Sequence, residues 1–479
     1  MINEVSVAGI VDYTRRVGGG GAHQPRPAVA RGCDSGGGHG DVRRGQDDHD
    51  SDRMGQRSTA YRDWLLHRRN PAGVVGDGSV FADAGAGKER DGMRKIWPFT
   101  FYAILFASFA FVAPFIVLYY QSLGFTGAQI GLLTGLTPLI TLFGAPLWTS
   151  LADATRRHRL IMSLAILVGA ITIFVFPFPN TFAPVLLIAI LFYASFAPVS
   201  PFADSATMFM LADEKEMYGR VRLGGTIGFG VAASIAGVLV QDYGLKSAFW
   251  GCAALLLLAF IVSQKLVYSQ LKVGDSTGGG VRALLTNRRW QLFLVVAFAG
   301  GLAVATINYL FPLMKELGAT ESTMGLSLTI GTLSEIPVMF FGNRLIKRLK
   351  PYGLLMLAMV VTGGRLVLFA VASTPDLVLV LQLFGGLAFA AMWLAGVAFA
   401  EENAPAGMGA TAQGLFGAMV FGFGPAVGGF VGGPLLESIG GRGLYLIIGV
   451  VVLVIVALVA LMQKRLPTEQ KILPEVLTH

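Results

Sequence analysis

The sequence predicts an all-α membrane protein whose twelve transmembrane helices form two pseudo-symmetric halves of six. Hydrophobic residues make up 54% of the chain, and the mean hydropathy is +0.63. Charged residues make up 14%, against about 25% in soluble domains. From Trp97 onward, apolar runs of about 20 residues follow one another, and each is long enough to cross a bilayer core of about 30 Å. These observations together favour a polytopic membrane protein.

Residues 1–92 form a leader that is rich in Gly, Arg, Asp and His and has no apolar periodicity, so we expect it to be disordered. Its histidines could instead bind a metal, but a solvated tail is the simpler interpretation. Met93, Arg94 and Lys95 directly precede the first apolar run, which is how a membrane protein with a cytoplasmic start begins. We therefore hypothesise that the leader is not part of the native protein, and peptides from before Met93 in the native host would refute this.

The first half is predicted at 93–265, with spans near 97–120, 128–150, 160–178, 183–210, 221–241 and 247–265. A cytoplasmic linker at 266–289, with GDSTGGG at its centre, separates the halves. The second half is predicted at 290–463, with spans near 290–314, 323–343, 352–372, 377–400, 411–436 and 444–462. A tail at 464–479 ends the chain.

The cations are clustered in alternate loops. The clusters are RRHR at 156–159, GRVR at 219–222, LTNRR at 285–289, RLIKRLK at 344–350 and QKR at 463–465. The loops between them carry almost no cations, so the positive-inside rule predicts that both termini lie in the cytoplasm. We expect a multi-pass protein of the inner (cytoplasmic) membrane. This distribution also explains the net charge of +8 without a nucleic-acid partner.

The two halves resemble each other. Residues 146–157 align without gaps to 337–348, at a constant offset of 191 residues. The same offset places Gln413, at the start of the eleventh span, opposite Arg222. Repeated halves are typical of transporters whose substrate site lies between the halves near the membrane midplane.

Three charged residues lie well inside predicted spans: Asp204, Glu335 and Arg365. A charge at such a position costs on the order of 3 kcal/mol, so each needs a partner or a hydrated cavity. We expect Glu335 and Arg365 to pair, either as a coupling site or as an ion pair that fixes helix register. For Asp204 the expected partner is Arg222 or Arg220, and a site and a structural clamp are equally good interpretations.

Uncharged residues within the spans could also line a cavity. Asn308, Tyr193 and Trp393 are candidates, although such residues often pack between helices instead. Glu401 and Glu402 are expected at the membrane interface. Glycines four residues apart could form sliding surfaces or static packing, and they are Gly224, Gly228, Gly424, Gly428 and Gly432.

Two sets of motifs point to a family. LADATRRHR at 151–159 resembles the loop motif after the second span of the major facilitator superfamily. Asp153 and Arg157 match it, whereas Arg156 stands where a glycine is expected. FAPVSPFADSA at 196–206 and YGRVRLGGTIGFG at 218–230 resemble the branch that holds phenylpropionate permeases, nucleoside symporters and lactose-permease-like proteins.

The resemblance implies alternating access, a monomer, and a cytoplasmic gate that includes Asp153, Arg156 and Arg157. It also implies that the acid in the eighth span, Glu335, and the arginine in the ninth, Arg365, act in proton coupling and substrate contact. It does not extend to the leader.

The leading hypothesis is a secondary active transporter that moves an organic acid, nucleoside or sugar, with protons as the coupling ion. The alternatives are a proton-coupled drug or metabolite exporter of the same fold and, less favoured, a polytopic sensor or enzyme. The sequence contains no phosphate-binding loop and no histidine within the spans, so we expect neither a cofactor nor a metal. Its two cysteines, Cys33 and Cys252, exclude a disulfide framework. Arg365 would suit a carboxylate or phosphate, but paired with Glu335 it could serve a neutral solute.

Overall fold

The computed structural model describes residues 79–212, 214–268, 284–405 and 408–464. The described residues from Gly92 onward form one compact unit, and residues 79–91 belong to a second unit. Every regular element in this described part of the chain is helical. The leader up to residue 78, most of the linker and nearly all of the tail lie outside it. Residues 79–92, expected to be disordered, are helical, in keeping with the high helix propensity of the alanines among them.

Helices occupy the six predicted spans of the first half. A 3₁₀ turn, Lys215–Met217, precedes the fifth span. The helices are Ser79–Val112 with Ile116–Ser122, Gly127–Thr155, His158–Val175, Phe182–Phe196 with Val199–Leu211, Tyr218–Tyr243 and Lys246–Ser263.

The second half begins with Arg288–Ala305, a 3₁₀ turn at Thr306–Tyr309, and Leu310–Glu316. Two longer helices follow it, Glu321–Val371 and Pro375–Asn403. The last helical stretch consists of Gly409–Gly417, a π-helical segment at Ala418–Phe423, and Gly424–Lys464.

Ten stretches of the described residues are long and apolar enough to cross a membrane. Two of them, Glu321–Val371 with 51 residues and Gly409–Lys464 with 56, are long enough for two crossings each. Each contains a bend: Lys350 has φ 61° and ψ 155°, and Gly440 has φ 70° and ψ 179°. Pro351 disfavours the helical conformation at Lys350, and Gly440 tolerates positive φ because it has no Cβ. Counting each as two crossings gives the predicted twelve, and we number the spans accordingly.

Several spans are interrupted well inside the bundle. Span one breaks at 113–115 around Pro114, and span four breaks at 197–198. Span seven contains the 3₁₀ turn Thr306–Tyr309, and span eleven contains the π-helical segment. Irregular backbone at membrane depth is stable only where it is buried in protein or lines a cavity.

The two ends of the bundle differ in charge. The predicted cationic loops lie at one end, where the Arg159 guanidinium donates to the carbonyl oxygen of Gln264 at 2.7 Å. At the same end the Trp290 indole donates to the carbonyl oxygen of Asn403 at 3.0 Å. We call this the basic end, and the other the opposite end.

The halves meet between the opposite end and the middle of the bundle. The Tyr309 hydroxyl of span seven donates to the carbonyl oxygen of Gly429 at 2.9 Å and lies 3.0 Å from the hydroxyl of Thr134 in span two. Between spans five and eight, the hydroxyls of Ser234 and Thr329 lie 2.7 Å apart. Further contacts between the halves lie in the same region: Thr329 donates to the carbonyl oxygen of Gly230 at 2.7 Å, and the rings of Phe115 and Phe311 lie 4.7 Å apart.

The glycines that we considered as sliding surfaces pack inside each half. A Cβ on Gly228 would overlap the backbone of Ala103 in span one, and a Cβ on Gly428 would meet Ala305 in span seven. The close approach between the halves uses other glycines, such as Gly325 in span eight. The static-packing interpretation therefore fits the glycines named from the sequence.

Candidate functional site

A cavity of about 320 Å³ lies where spans one, seven and eleven are interrupted. Most of its wall comes from the second half of the chain, to which spans seven to twelve all contribute. From the first half come Ala113, Pro114 and Phe229. Glu335, Arg365 and Asn308, all singled out from the sequence, line it together.

Arg365 is held in this cavity by a neutral partner. Its Nη1 donates to Oε1 of Gln382 in span ten at 2.9 Å, and its guanidinium lies 5.1 Å from the centre of the Phe369 ring. A Cβ on Gly385 would overlap Nη1 of Arg365, so the absence of a side chain there makes room for the guanidinium. Nε of Arg365 is buried and donates to no protein acceptor.

Glu335 lies on the wall of the same cavity and is 6% exposed. Its Oε2 is buried and accepts no hydrogen bond from the protein. The expected ion pair between Glu335 and Arg365 is not formed among the described residues, because Arg365 turns to Gln382 instead. The two charged groups therefore share a cavity without bonding to each other.

Close packing of spans eight and ten brings Glu335 and Gln382 to the wall of the same cavity. A Cβ on Gly386 would overlap the carbonyl oxygen of Gly331, so the two helices touch at their backbones. The Ser334 hydroxyl, next to Glu335, donates to the carbonyl oxygen of Gly331 at 2.7 Å. The hydroxyl thereby satisfies its own hydrogen bond within span eight.

The interruption of span seven supplies polar groups to the cavity. Asn308 lies in the 3₁₀ turn and lines the wall. The Tyr445 hydroxyl of span twelve donates to the carbonyl oxygen of Thr306 at 2.7 Å, which joins span twelve to this turn. Tyr445 also lines the cavity.

Tyr193 and Trp393 do not line this cavity. Tyr193 is close to Thr137 and Cys252 within the first half. Trp393 is 8% exposed, and its ring centre lies 5.2 Å from that of Phe416 and 5.2 Å from that of Phe421. Trp393 packs behind the wall that Phe421 forms.

Asp204 lies in a separate cluster of spans one, four and five. Its Oδ1 accepts from Arg222 Nη1 at 2.5 Å, from the Tyr102 hydroxyl at 2.5 Å and from the Tyr218 hydroxyl at 2.8 Å. Arg222 is 2% exposed and also lies over the Tyr102 ring, 5.2 Å from its centre. Asp204 is not among the residues that line the cavity, so this geometry fits the clamp interpretation.

The two other residues considered as partners of Asp204 lie elsewhere. Arg220 is exposed and donates to the sulfur of Met217 at 3.4 Å. The Gln413 amide of span eleven donates to Oε2 of Glu401 at 2.8 Å. Glu401 therefore joins spans ten and eleven at the basic end.

The residues of the implied gate lie at the basic end. Asp153 Oδ1 is 2.8 Å from Nε2 of His158. Arg156 ends the second span with φ 56°, a left-handed conformation, and Arg157 follows it; both are exposed. The described side-chain contact of Asp153 is thus with the start of the third span, within its own half.

Sequence reasoning missed Gln382 and Tyr445. An amide within the apolar run LVLVLQLFGG was the available signal for Gln382, whereas nothing in the sequence distinguished Tyr445 from a packing tyrosine. No three His, Cys, Asp or Glu side chains in the described ranges are grouped as metal ligands would be.

A helical bundle whose interrupted spans surround a cavity with one acidic and one basic side chain is typical of a polytopic membrane transporter. Comparison with known proteins agrees with that class. The chain belongs to the MFS_1 like family of the major facilitator superfamily, whose model matches residues 97–447.

Individual relatives are transporters of small solutes. The chain is 28% identical to the maltose permease of Geobacillus stearothermophilus over 383 residues, which cover 79% of this chain and 97% of the permease. It is 25% identical to a probable 3-phenylpropionic acid transporter of Escherichia coli strain K12, over 54% of this chain and 69% of that protein. The solved structure of the nucleoside transporter NupG superimposes with a TM-score of 0.69 at 20% identity, covering 78% of this chain and 99% of that one.

Proposed function

We propose that this transporter is a proton symporter that carries a small organic solute across the cytoplasmic membrane, with both of its termini in the cytoplasm. The observation that carries the proposal is the cavity shared by Glu335 and Arg365, which do not bond to each other. The proposed solute is an organic acid, a nucleoside or a sugar, and the proposed working unit is a monomer.

Proton coupling follows from the electrostatics of this cavity. A solute that binds Arg365 changes the electrostatic potential at Glu335, and with it the proton affinity of that carboxyl. By linkage, protonation of Glu335 must change the solute affinity by the same factor. A proton gradient can then drive accumulation of the solute.

Alternating access would proceed by rocking of the two halves around this cavity. The contacts of spans two and five with spans eleven and eight close the opposite end. Because the positive-inside rule makes the basic end cytoplasmic, the described conformation would be the one closed toward the outside. In the other conformation these contacts separate, and Asp153, Arg156 and Arg157 help to close the basic end.

The relatives support a small solute but differ in what their names say they carry: maltose in one case, 3-phenylpropionic acid in another and a nucleoside in a third. The residues of the cavity suit each class in part. Asn308 offers hydrogen bonds to hydroxyl groups, and Arg365 offers charge to an acid.

The test is a recording of external pH in a suspension of proteoliposomes that contain the purified protein, while 3-phenylpropionate, uridine and maltose are added in turn. Symport predicts alkalinisation outside on addition of the transported compound. Glu335→Gln should abolish this signal, and Glu402→Gln, an exposed glutamate at the basic end, should keep it. Acidification on addition of a compound, as an exporter exchanging it for protons would give, or full proton movement by Glu335→Gln, would contradict the proposal.

A further inference from the structure

We infer that the solute is a monoanionic organic acid, bound through its carboxylate to Arg365, and that it crosses with one proton on Glu335, so that net transport is electroneutral. This inference rests on the proposed proton symport and extends it by naming the class of solute and the charge moved.

Arg365 is hydrogen-bonded to a neutral partner and so keeps its full charge. Arg365 is the one cationic side chain among the described residues that line the cavity, and its hydrogen-bond acceptor there is the neutral amide of Gln382. A guanidinium has five N–H donors, and Nε of Arg365 is left without a protein acceptor. A carboxylate accepts two parallel bonds from such a group, with a geometry that a hydroxyl cannot match.

Glu335 is buried in the wall of the same cavity. An ionised carboxylate that is buried without hydrogen-bond donors is costly, and Oε2 of Glu335 has no donor from the protein. A proton that Glu335 takes up as the solute binds lowers that cost. The cavity then holds the charge of Arg365 alone, which a monoanion neutralises and a neutral sugar or a zwitterion does not.

The charge balance depends on every titratable group that faces Glu335. Among the described lining residues these are Glu335 of span eight, Arg365 of span nine and the phenol of Tyr445 in span twelve. The described residues of spans one, five, seven, ten and eleven that line the cavity include no titratable side chain. The Tyr445 hydroxyl donates a hydrogen bond to the carbonyl oxygen of Thr306, and a phenol is uncharged at physiological pH.

The resulting cycle moves no net charge. On the outside one O–H bond forms at Glu335 as the anion binds Arg365, and on the inside that bond breaks as the anion leaves. The loaded cavity, with protonated Glu335, cationic Arg365 and the anion, has the same net charge as the empty cavity with both residues ionised. A neutral solute carried with a proton would instead move one positive charge.

The rest of the wall suits an apolar body. Phe229, Phe389, Phe421 and Met392 line the cavity. A volume of about 320 Å³ lies at the lower end of the range of about 300–1,000 Å³ usual for ligand sites. A compact acid with an aromatic or aliphatic body fits these dimensions.

The experiment separates the pH gradient from the membrane potential. Proteoliposomes are given radiolabelled 3-phenylpropionate, maltose or uridine under either an inwardly directed proton gradient or a potassium diffusion potential set with valinomycin. Protein-free liposomes correct for passive entry of the acid. We expect 3-phenylpropionate to accumulate up to about tenfold for each pH unit and to be indifferent to the potential.

Two arginine variants test whether the gradient-driven uptake of 3-phenylpropionate depends on Arg365. Arg365→Gln should lose the gradient-driven uptake of 3-phenylpropionate, whereas Arg442→Gln, an exposed arginine outside the cavity, should keep it. Uptake of maltose or uridine driven by both the gradient and the potential would overturn the inference while leaving proton symport intact. Uptake of none of the three under either force would overturn both.

Discussion

Arg365 donates to the amide of Gln382 at 2.9 Å and makes no ion pair with Glu335, although both charged residues line one cavity. A buried charge that is held by a neutral group keeps its capacity to bind an opposite charge, whereas a charge already paired loses most of it. We therefore propose that solute choice depends on the pairing of Arg365 with a neutral group.

Replacing Gln382 with glutamate should give Arg365 a carboxylate of its own. The solute would then compete with a permanent internal anion, and we expect the affinity for 3-phenylpropionate to fall at least about tenfold, or about 1.4 kcal/mol. Isothermal titration calorimetry of the purified protein measures this affinity. Gln121→Glu, at an exposed position away from the cavity, is the matched control, and unchanged affinity in Gln382→Glu would show that Arg365 does not hold the solute.

A single methyl group at Gly385 should displace the guanidinium. The Cβ of Gly385→Ala would overlap Nη1 of Arg365, so the side chain must move and give up its bond to Gln382. We expect solute affinity to fall about tenfold while thermal stability stays near wild type, because alanine favours the helix. Gly353→Ala adds a methyl group with no atom within 4 Å and should leave both unchanged. Wild-type affinity in Gly385→Ala would contradict this placement of Arg365.

For the Asp204 cluster we expect an effect on stability and not on solute affinity. Asp204→Asn removes the carboxylate that Arg222 and two tyrosines contact, and we expect a loss of about 3 kcal/mol in stability, seen as a lower Tm in detergent. Solute affinity of the folded protein should be unchanged if the cluster is a clamp. The exposed Asp242→Asn is the control. Lost binding at an unchanged Tm would instead place Asp204 in the transport site.

The contact between spans five and eight should open during transport. The hydroxyls of Ser234 and Thr329 lie 2.7 Å apart, so cysteines at both positions should form a disulfide on mild oxidation. We expect the cross-linked double variant to stop transport and to recover on reduction. Each single cysteine variant should transport under both conditions. Full transport by the cross-linked protein would rule out separation of the halves at this point.

Hydropathy predicted the positions of the spans because each apolar run must cover the same bilayer thickness. Most boundaries agree with the helices within a few residues; the second span, expected near 128–150, extends to Thr155. The bends at Lys350 and Gly440 agree with the expected breaks between spans, where a residue before proline and a glycine leave the helical conformation.

Side-chain partners were harder to predict. The sequence identified Glu335 and Arg365 by the cost of burying charge, and they do share a cavity. The bond from Arg365 to Gln382 depends on the rotation of spans nine and ten about their axes and on the space left by Gly385. Hydropathy does not determine either. For the same reason it could not show that Trp393 packs behind the cavity wall while Asn308 lines it.

The most direct test of proton coupling at Glu335 compares two modes of transport in one variant. Glu335→Gln proteoliposomes are assayed for exchange of labelled against unlabelled solute at equal pH, and for accumulation driven by a proton gradient. Because exchange needs solute binding and rocking but no net proton movement, we expect exchange to persist and accumulation to vanish. Gradient-driven accumulation at the wild-type level in Glu335→Gln would show that the proton is carried elsewhere.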